Sequence, residues 1–129
     1  MVEPKEKILA IKLDTELSKK NILIVSLSGI LNTFSSIELV KLLTPDILSE
    51  FTSIIFDFEN LKFIDSMGMS AIITIFKRVH LNQGKMVAIK AKSGIKTVFE
   101  ITNIIQKIPI VDSLEKAIIF LEEENDKSN

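Results

Sequence analysis

Cysteine is missing from this 129-residue chain, and histidine occurs once, at His80. No disulfide, thiolate metal site or cysteine nucleophile is therefore possible, which suits a cytoplasmic location. A lone histidine beside Arg78, without other ligands in a workable spacing, reads as a surface or half-buried residue rather than a metal ligand or general base. Glycine is scarce, at four residues, and none of them builds a phosphate-cradling loop. A Ser/His/Asp arrangement is missing too, so the chain reads as a non-enzyme with no cofactor and no metal. No apolar run reaches the roughly 18 to 20 residues of a membrane span, and Met1 to Lys7 is too charged for a signal peptide. Nor does charge of one sign prevail: 16 basic and 17 acidic residues leave a net charge of −1. That predicts no broad field for nucleic acid, and Lys77, Arg78, Lys85, Lys90, Lys92 and Lys96 read as a solvated face.

What the chain does have is apolar substance. At 47% hydrophobic and 26% charged residues, it reads as one folded domain with a sizeable core and no linker or repeat. Its most informative stretch is Ser53 to Leu81. Ser53-Ile54-Ile55-Phe56-Asp57-Phe58 is β-branched and aromatic, as a strand buried on both faces should be, with Asp57 marking where it surfaces. A polar break at Glu59-Asn60 follows, then Leu61, Phe63, Ile64 and the loop Asp65-Ser66-Met67-Gly68. Beyond it Met69, Ile72, Ile73, Phe76 and Val79 fall on one face of a helix. Asp65 or Ser66 can cap that helix by accepting a backbone N–H.

The flanks alternate strand and helix. Ile8–Leu13 and Asn21–Ser28 read as a hairpin joined by a polar turn over residues 14–20, after which Gly29 breaks the strand. A helix carrying Ile37, Val40, Leu43 and Ile47 inward follows, and Pro45 either kinks it or restarts it with Thr44 as cap. Met86–Ile89 is a further strand after the stop at Asn82-Gln83-Gly84. Ser93 caps a helix with Ile95, Val98, Phe99 and Thr102 inward. Ile108–Val111 is a short edge strand because of Pro109, and Asp112-Ser113 cap a last helix on Leu114, Ala117, Ile118 and Leu121. The outcome is an α/β domain: a mixed sheet of four to five strands with about four helices packed against it.

Leu61-Lys62-Phe63-Ile64-Asp65-Ser66-Met67-Gly68-Met69 resembles the signature of STAS domains, and in particular of the small bacterial anti-sigma factor antagonists. Their pattern is an apolar strand, a short loop reading Phe-(Ile/Met)-Asp-Ser-(Ser/Ala/Met)-Gly-Leu, and a helix. The resemblance covers residues 8–122 as a single STAS-like domain, with residues 1–7 as a flexible start and 123–129 as a flexible tail. It implies that Ser66 is the phosphorylated serine. It also implies that Asp65, Ser66, Met67, Gly68 and Met69, with Gly29 and Asn32 from the neighbouring loop, form the partner-binding surface. The implied partners are an anti-sigma factor with serine kinase activity and a serine phosphatase, with no nucleic acid and no membrane insertion, and a monomer is favoured. Two acids are missing from the neighbouring loop: the family's Gly-Glu-(Leu/Ile)-Asp stands here as Gly29-Ile30-Leu31-Asn32, which changes which partner is recognised or weakens a charged contact. Met67 replaces a residue that is often small and adds an adaptable apolar group.

Two further readings belong to other classes. A STAS module that assembles complexes without Ser66 phosphorylation fits the altered loop. A phosphoacceptor receiver domain with Asp57 as acceptor would need a pair of acids after the first strand and a lysine directly before a proline; Lys107-Ile108-Pro109 has the lysine one place off.

Overall fold

The computed structural model describes residues 8–17 and 20–127. Two strand-forming stretches open it: β1 (Leu9–Asp14) and β2 (Ile22–Leu31) pair antiparallel, Leu9 facing Gly29 and Asp14 facing Ile24, which is the expected hairpin. β3 (Ser53–Ile64), β4 (Lys85–Ile89) and the two-residue edge strand β5 (Ile110–Val111) then add in parallel. The result is a mixed five-stranded sheet whose spatial order follows chain order. Strands alternate with helices α1 (Thr33–Leu42), α2 (Pro45–Leu48), α3 (Ser66–Leu81), α4 (Ser93–Ile101) and α5 (Leu114–Lys127), and a 3₁₀ turn spans Ile104–Gln106. The helix beyond the expected four is α2. Of the two options at Pro45, the restart is what forms: the Thr44 side chain accepts from the Ile47 amide at 3.3 Å, and proline at the first helical position gives up an N–H that has no partner there anyway.

Both sheet faces are covered, which is why the parallel strands read as unbroken apolar runs. Val25, Leu27, Ile54, Phe56 and Phe58 face the larger core, met by Leu39 of α1, Ile72 and Ile75 of α3, and Ile95 and Phe99 of α4. Ile22, Ile24, Ile55, Val87 and Ile89 face the smaller one, under Ala117 and Leu121 of α5. Phe58 is the aromatic hinge of the larger core, with Phe56 and Phe99 each 5.7 Å away between ring centroids.

The differences from the expected boundaries have local causes. Gly29 does not end β2. It takes φ +110°, where a Cβ would stand 2.2 Å from the Ile8 carbonyl oxygen, and the strand continues through register shifts at Ser26/Ser28 and Gly29/Ile30. Only glycine fits such a place. Those same irregularities carry β3 past Glu59-Asn60, so the polar pair marks a distortion rather than a break. In α1 the buried residues are Ser35, Ser36 and Leu39, with Leu43 behind them, while Ile37 points outward. The phase was hidden because Ser35 and Ser36 are buried polar residues, their hydroxyls donating to the carbonyls of Ile30 at 2.7 Å and Thr33 at 3.0 Å. The cap of α4 is Lys92, which makes no side-chain capping bond, and Ser93 is the first helical residue. Ser113 does cap α5, accepting from the Lys116 amide at 3.2 Å, and that helix continues through Lys127. The expected flexible start over residues 1–7 lies outside the described residues.

Candidate functional site

The site forms where β2 and β3 run out together. Leu31 pairs with Ile64, and one residue further the Asp65 amide donates to the Leu31 carbonyl at 3.1 Å. Two parallel strands thus leave the sheet side by side, and each opens a helix at once. Asn32 caps α1: its Oδ1 accepts from the amides of Phe34 at 3.0 Å and Ser35 at 3.1 Å, while Ser35 Oγ accepts from the Asn32 amide at 2.9 Å. That is a reciprocal capping box.

Asp65 caps α3. Its Oδ1 accepts from the Gly68 amide at 2.8 Å, and its carbonyl takes the first helical bond, from Met69, at 2.9 Å. Capping is therefore the work of Asp65 and not of Ser66. Ser66 is the first helical residue, exposed to solvent, and its hydroxyl takes no hydrogen-bond partner among the described residues. The amides of Ser66 and Met67 are unpaired there too, as the first N–H groups of a helix must be unless something outside it accepts from them.

Gly68 supports this loop from below. A Cβ on it would meet the Leu31 carbonyl oxygen at 2.3 Å and Ile64 Cγ1 at 2.9 Å. Of the roles open to it, close helix–strand packing is what the geometry uses, at an ordinary helical backbone. Met69 is 4% exposed and sits in the core. Of the residues expected to touch a partner, Gly68 and Met69 are thus buried, and Gly29 lies within β2, three residues before the turn. Asp65 and Asn32 are half-buried, and Ser66 and Met67 are exposed.

Sequence reasoning missed two apolar neighbours of Met67. Phe34 is 78% exposed and Ile37 54%, beside Met67 at 48%. Between α1 and α3 runs a groove of about 340 Å³ lined by Ile37, Val40, Met67 and Ala71 together with Ser70 and Thr74. The signal that could have found it was Asn32 as cap: once α1 starts at Thr33, Ser35 and Leu39 share the inner side and Phe34 and Ile37 must face out. Arg78 holds the two helices together at the far end of the groove, Nη1 donating to the carbonyls of Val40 and Leu43 at 2.8 Å each.

Residues 15–117 match the family model of the STAS domain. The chain belongs to the STAS domain family. Among STAS relatives, BtrV of Bordetella bronchiseptica, a candidate anti-sigma factor antagonist by name, is 26% identical over 95 residues, 74% of this chain and 82% of BtrV. The STAS fold here superposes on the anti-sigma factor antagonist SpoIIAA in its unphosphorylated form with a TM-score of 0.67 at 19% identity, covering 85% of this chain and 94% of that one. Bacillus SpoIIAA in its phosphorylated form gives 0.66 at 20% identity, with 84% and 96% covered. An anti-sigma factor antagonist from Mycobacterium paratuberculosis gives 0.75 at 12% identity, with 88% and 94% covered. The mixed five-stranded α/β architecture is therefore that of the family.

Chemically, this STAS site offers one free hydroxyl on a helix N-terminus. A phosphate placed on it would find unpaired amides and the positive end of the helix dipole within reach. Among the described residues, no group of three or more His, Cys, Asp or Glu side chains is placed to hold a metal ion, and no helix is long and apolar enough to cross a membrane.

Proposed function

We propose that this STAS chain is an anti-sigma factor antagonist switched at Ser66. Unphosphorylated, it docks through Asp65, Ser66, Met67 and the half-buried Asn32 on an anti-sigma factor that is itself a serine kinase, and so releases a sigma factor. Phosphorylation of Ser66 ends the interaction, and a serine phosphatase restores it. The chain is a substrate and a ligand in this scheme, not a catalyst. The observation that carries the reading is the division of labour in the loop: Asp65 does the capping, which leaves the Ser66 hydroxyl exposed and unengaged. SpoIIAA, which shares this fold, has been described in both phosphorylated and unphosphorylated forms.

The switch follows from charge. Phosphoserine adds about −1.5 to −2 charges beside Asp65. At a helix N-terminus these are accommodated without disturbing the fold, so the effect falls on the interface. A partner surface that surrounds its own nucleotide phosphates meets the new dianion with like charge, at a cost of several kcal/mol. About 3 kcal/mol reduces affinity roughly a hundredfold.

The test uses wild type, Ser66→Ala and Ser66→Glu as baits in native lysate, with mass spectrometry of the captured proteins and of Ser66. The expected result is an ATP-binding, kinase-like protein on wild type and Ser66→Ala but not on Ser66→Glu, with phosphate on Ser66 in part of the wild-type pool. Equal capture by all three baits, with no phosphate on Ser66, would instead make the chain a constitutive STAS interaction module.

A further inference from the structure

The end of the molecule opposite Ser66 carries a cleft that the Ser66 switch leaves unused. α3 has 16 residues, about 24 Å at 1.5 Å per residue, so its last turn stands well away from the serine. There Phe76 and His80 stack, ring centroids 5.7 Å apart and planes 14° from parallel. With Met86 and Phe120 they wall a hollow of about 400 Å³, which Lys85 and Lys107 also line. A second hollow of about 540 Å³ shares Phe76, His80 and Lys107 with the first and is bordered by Lys77 and Leu81. Leu81 is 84% exposed.

The charge around this trough is one-sided. Lys77, Lys85 and Lys107 line it, and among the described residues no carboxylate does. Among the described residues none of these three ammonium groups has an ion-pair or hydrogen-bond partner, whereas Lys20, Lys90 and Lys116 each have a carboxylate within 4.0 Å. In a chain of net charge −1, three unpaired cations around an aromatic, apolar trough complement an anion that carries an apolar body. We propose that this cleft binds a small anionic amphiphile, a carboxylate or phosphate monoester on an alkyl chain. The lysines take the head group, and Phe76, Phe120 and Leu81 take the chain, whose removal from water drives the binding.

The test is an amide NMR titration of the full chain with dodecanoate and, separately, dodecyl phosphate, both below their micellar concentrations. Saturable shifts are expected in residues 76–86 and 106–107 and not in residues 65–70. Either head group satisfies the proposal, and the tighter of the two names it. Lys77→Gln/Lys107→Gln, checked for an unchanged circular dichroism spectrum, should weaken binding at least tenfold. Lys90→Gln/Lys96→Gln, at the other end of the sheet, should leave it within twofold. Inorganic phosphate and the neutral decyl maltoside should each bind at least tenfold more weakly. Scattered or non-saturating shifts, equal losses in the two lysine pairs, or equal binding of either control would overturn the proposal. So would sedimentation with phosphatidylglycerol vesicles in the absence of any response to the free amphiphiles, which would make the cleft a membrane-facing patch.

Discussion

Replacing Asp65 with alanine removes the acceptor of the 2.8 Å bond from the Gly68 amide and should lower stability by about 1 kcal/mol, as loss of a helix cap does. Ser66→Ala, which takes away an exposed hydroxyl with no hydrogen-bond partner among the described residues, should leave stability within about 0.5 kcal/mol. Urea unfolding of both variants separates cap from switch. A reversed order, with Ser66→Ala the more damaging, would return Ser66 to a structural role. Gly68→Ala belongs to a third class, because the added methyl group would lie 2.3 Å from the Leu31 carbonyl oxygen. Forcing the helix off the strand should cost about 2 kcal/mol, read as a lower urea midpoint with an unchanged slope. The Asp65-Ser66-Met67-Gly68 motif was legible from residue types alone. Which of its two leading residues caps was not, because aspartate and serine are nearly equal as caps and only the bond to Gly68 separates them.

At the scale of elements, α1 and α3 form one unit because their N-termini spring from adjacent strands and Arg78 ties their flanks. Arg78→Met would leave the Val40 and Leu43 carbonyls without the charged donor at 2.8 Å. It should cost about 1.5–3 kcal/mol and loosen the groove under Met67. A calorimetric melt reads the first effect, and affinity for the captured partner reads the second. Strand β3 and part of the inner face of α3 (Met69, Ile72 and Val79) were legible because period and composition agreed, whereas the buried Ala71 and Ile75 were not among the residues expected inward. The face of α1 was not, since its apolar residues lie on both sides and two serines occupy the core. The ends of β2 and β3 escaped for a related reason: Gly29 and Glu59-Asn60 look like punctuation, and only cross-strand pairing shows that the chain bulges and carries on.

For the whole molecule, the two-sided burial of the central strands sets a gradient of stability. Amides of Ile54, Ile55 and Phe56, whose side chains are fully buried on the two faces of the sheet, should exchange with solvent slowest, near the global unfolding limit. Those of Ile110 and Val111, on a two-residue edge strand, should exchange fastest among the strands. Native-state hydrogen exchange tests this directly, and comparable protection in β5 and β3 would contradict it. The alternation of elements announced the α/β class and the antiparallel start. The pairing order of the parallel strands is a property of the folded sheet that periodicity does not carry.

That order matters before the protein is finished. Each strand after the first lies beside the one made just before it, so a chain leaving the ribosome can lay down its sheet in sequence without holding a strand open for a distant partner. The serine loop can take shape as soon as α3 has emerged. The face carrying Ile22, Ile24, Ile55, Val87 and Ile89 must wait for α5, which follows all five strands in the chain. An early stop codon would therefore release a product with its switch assembled and one apolar sheet face bare, and such a fragment should go to chaperones or inclusion bodies rather than to a partner.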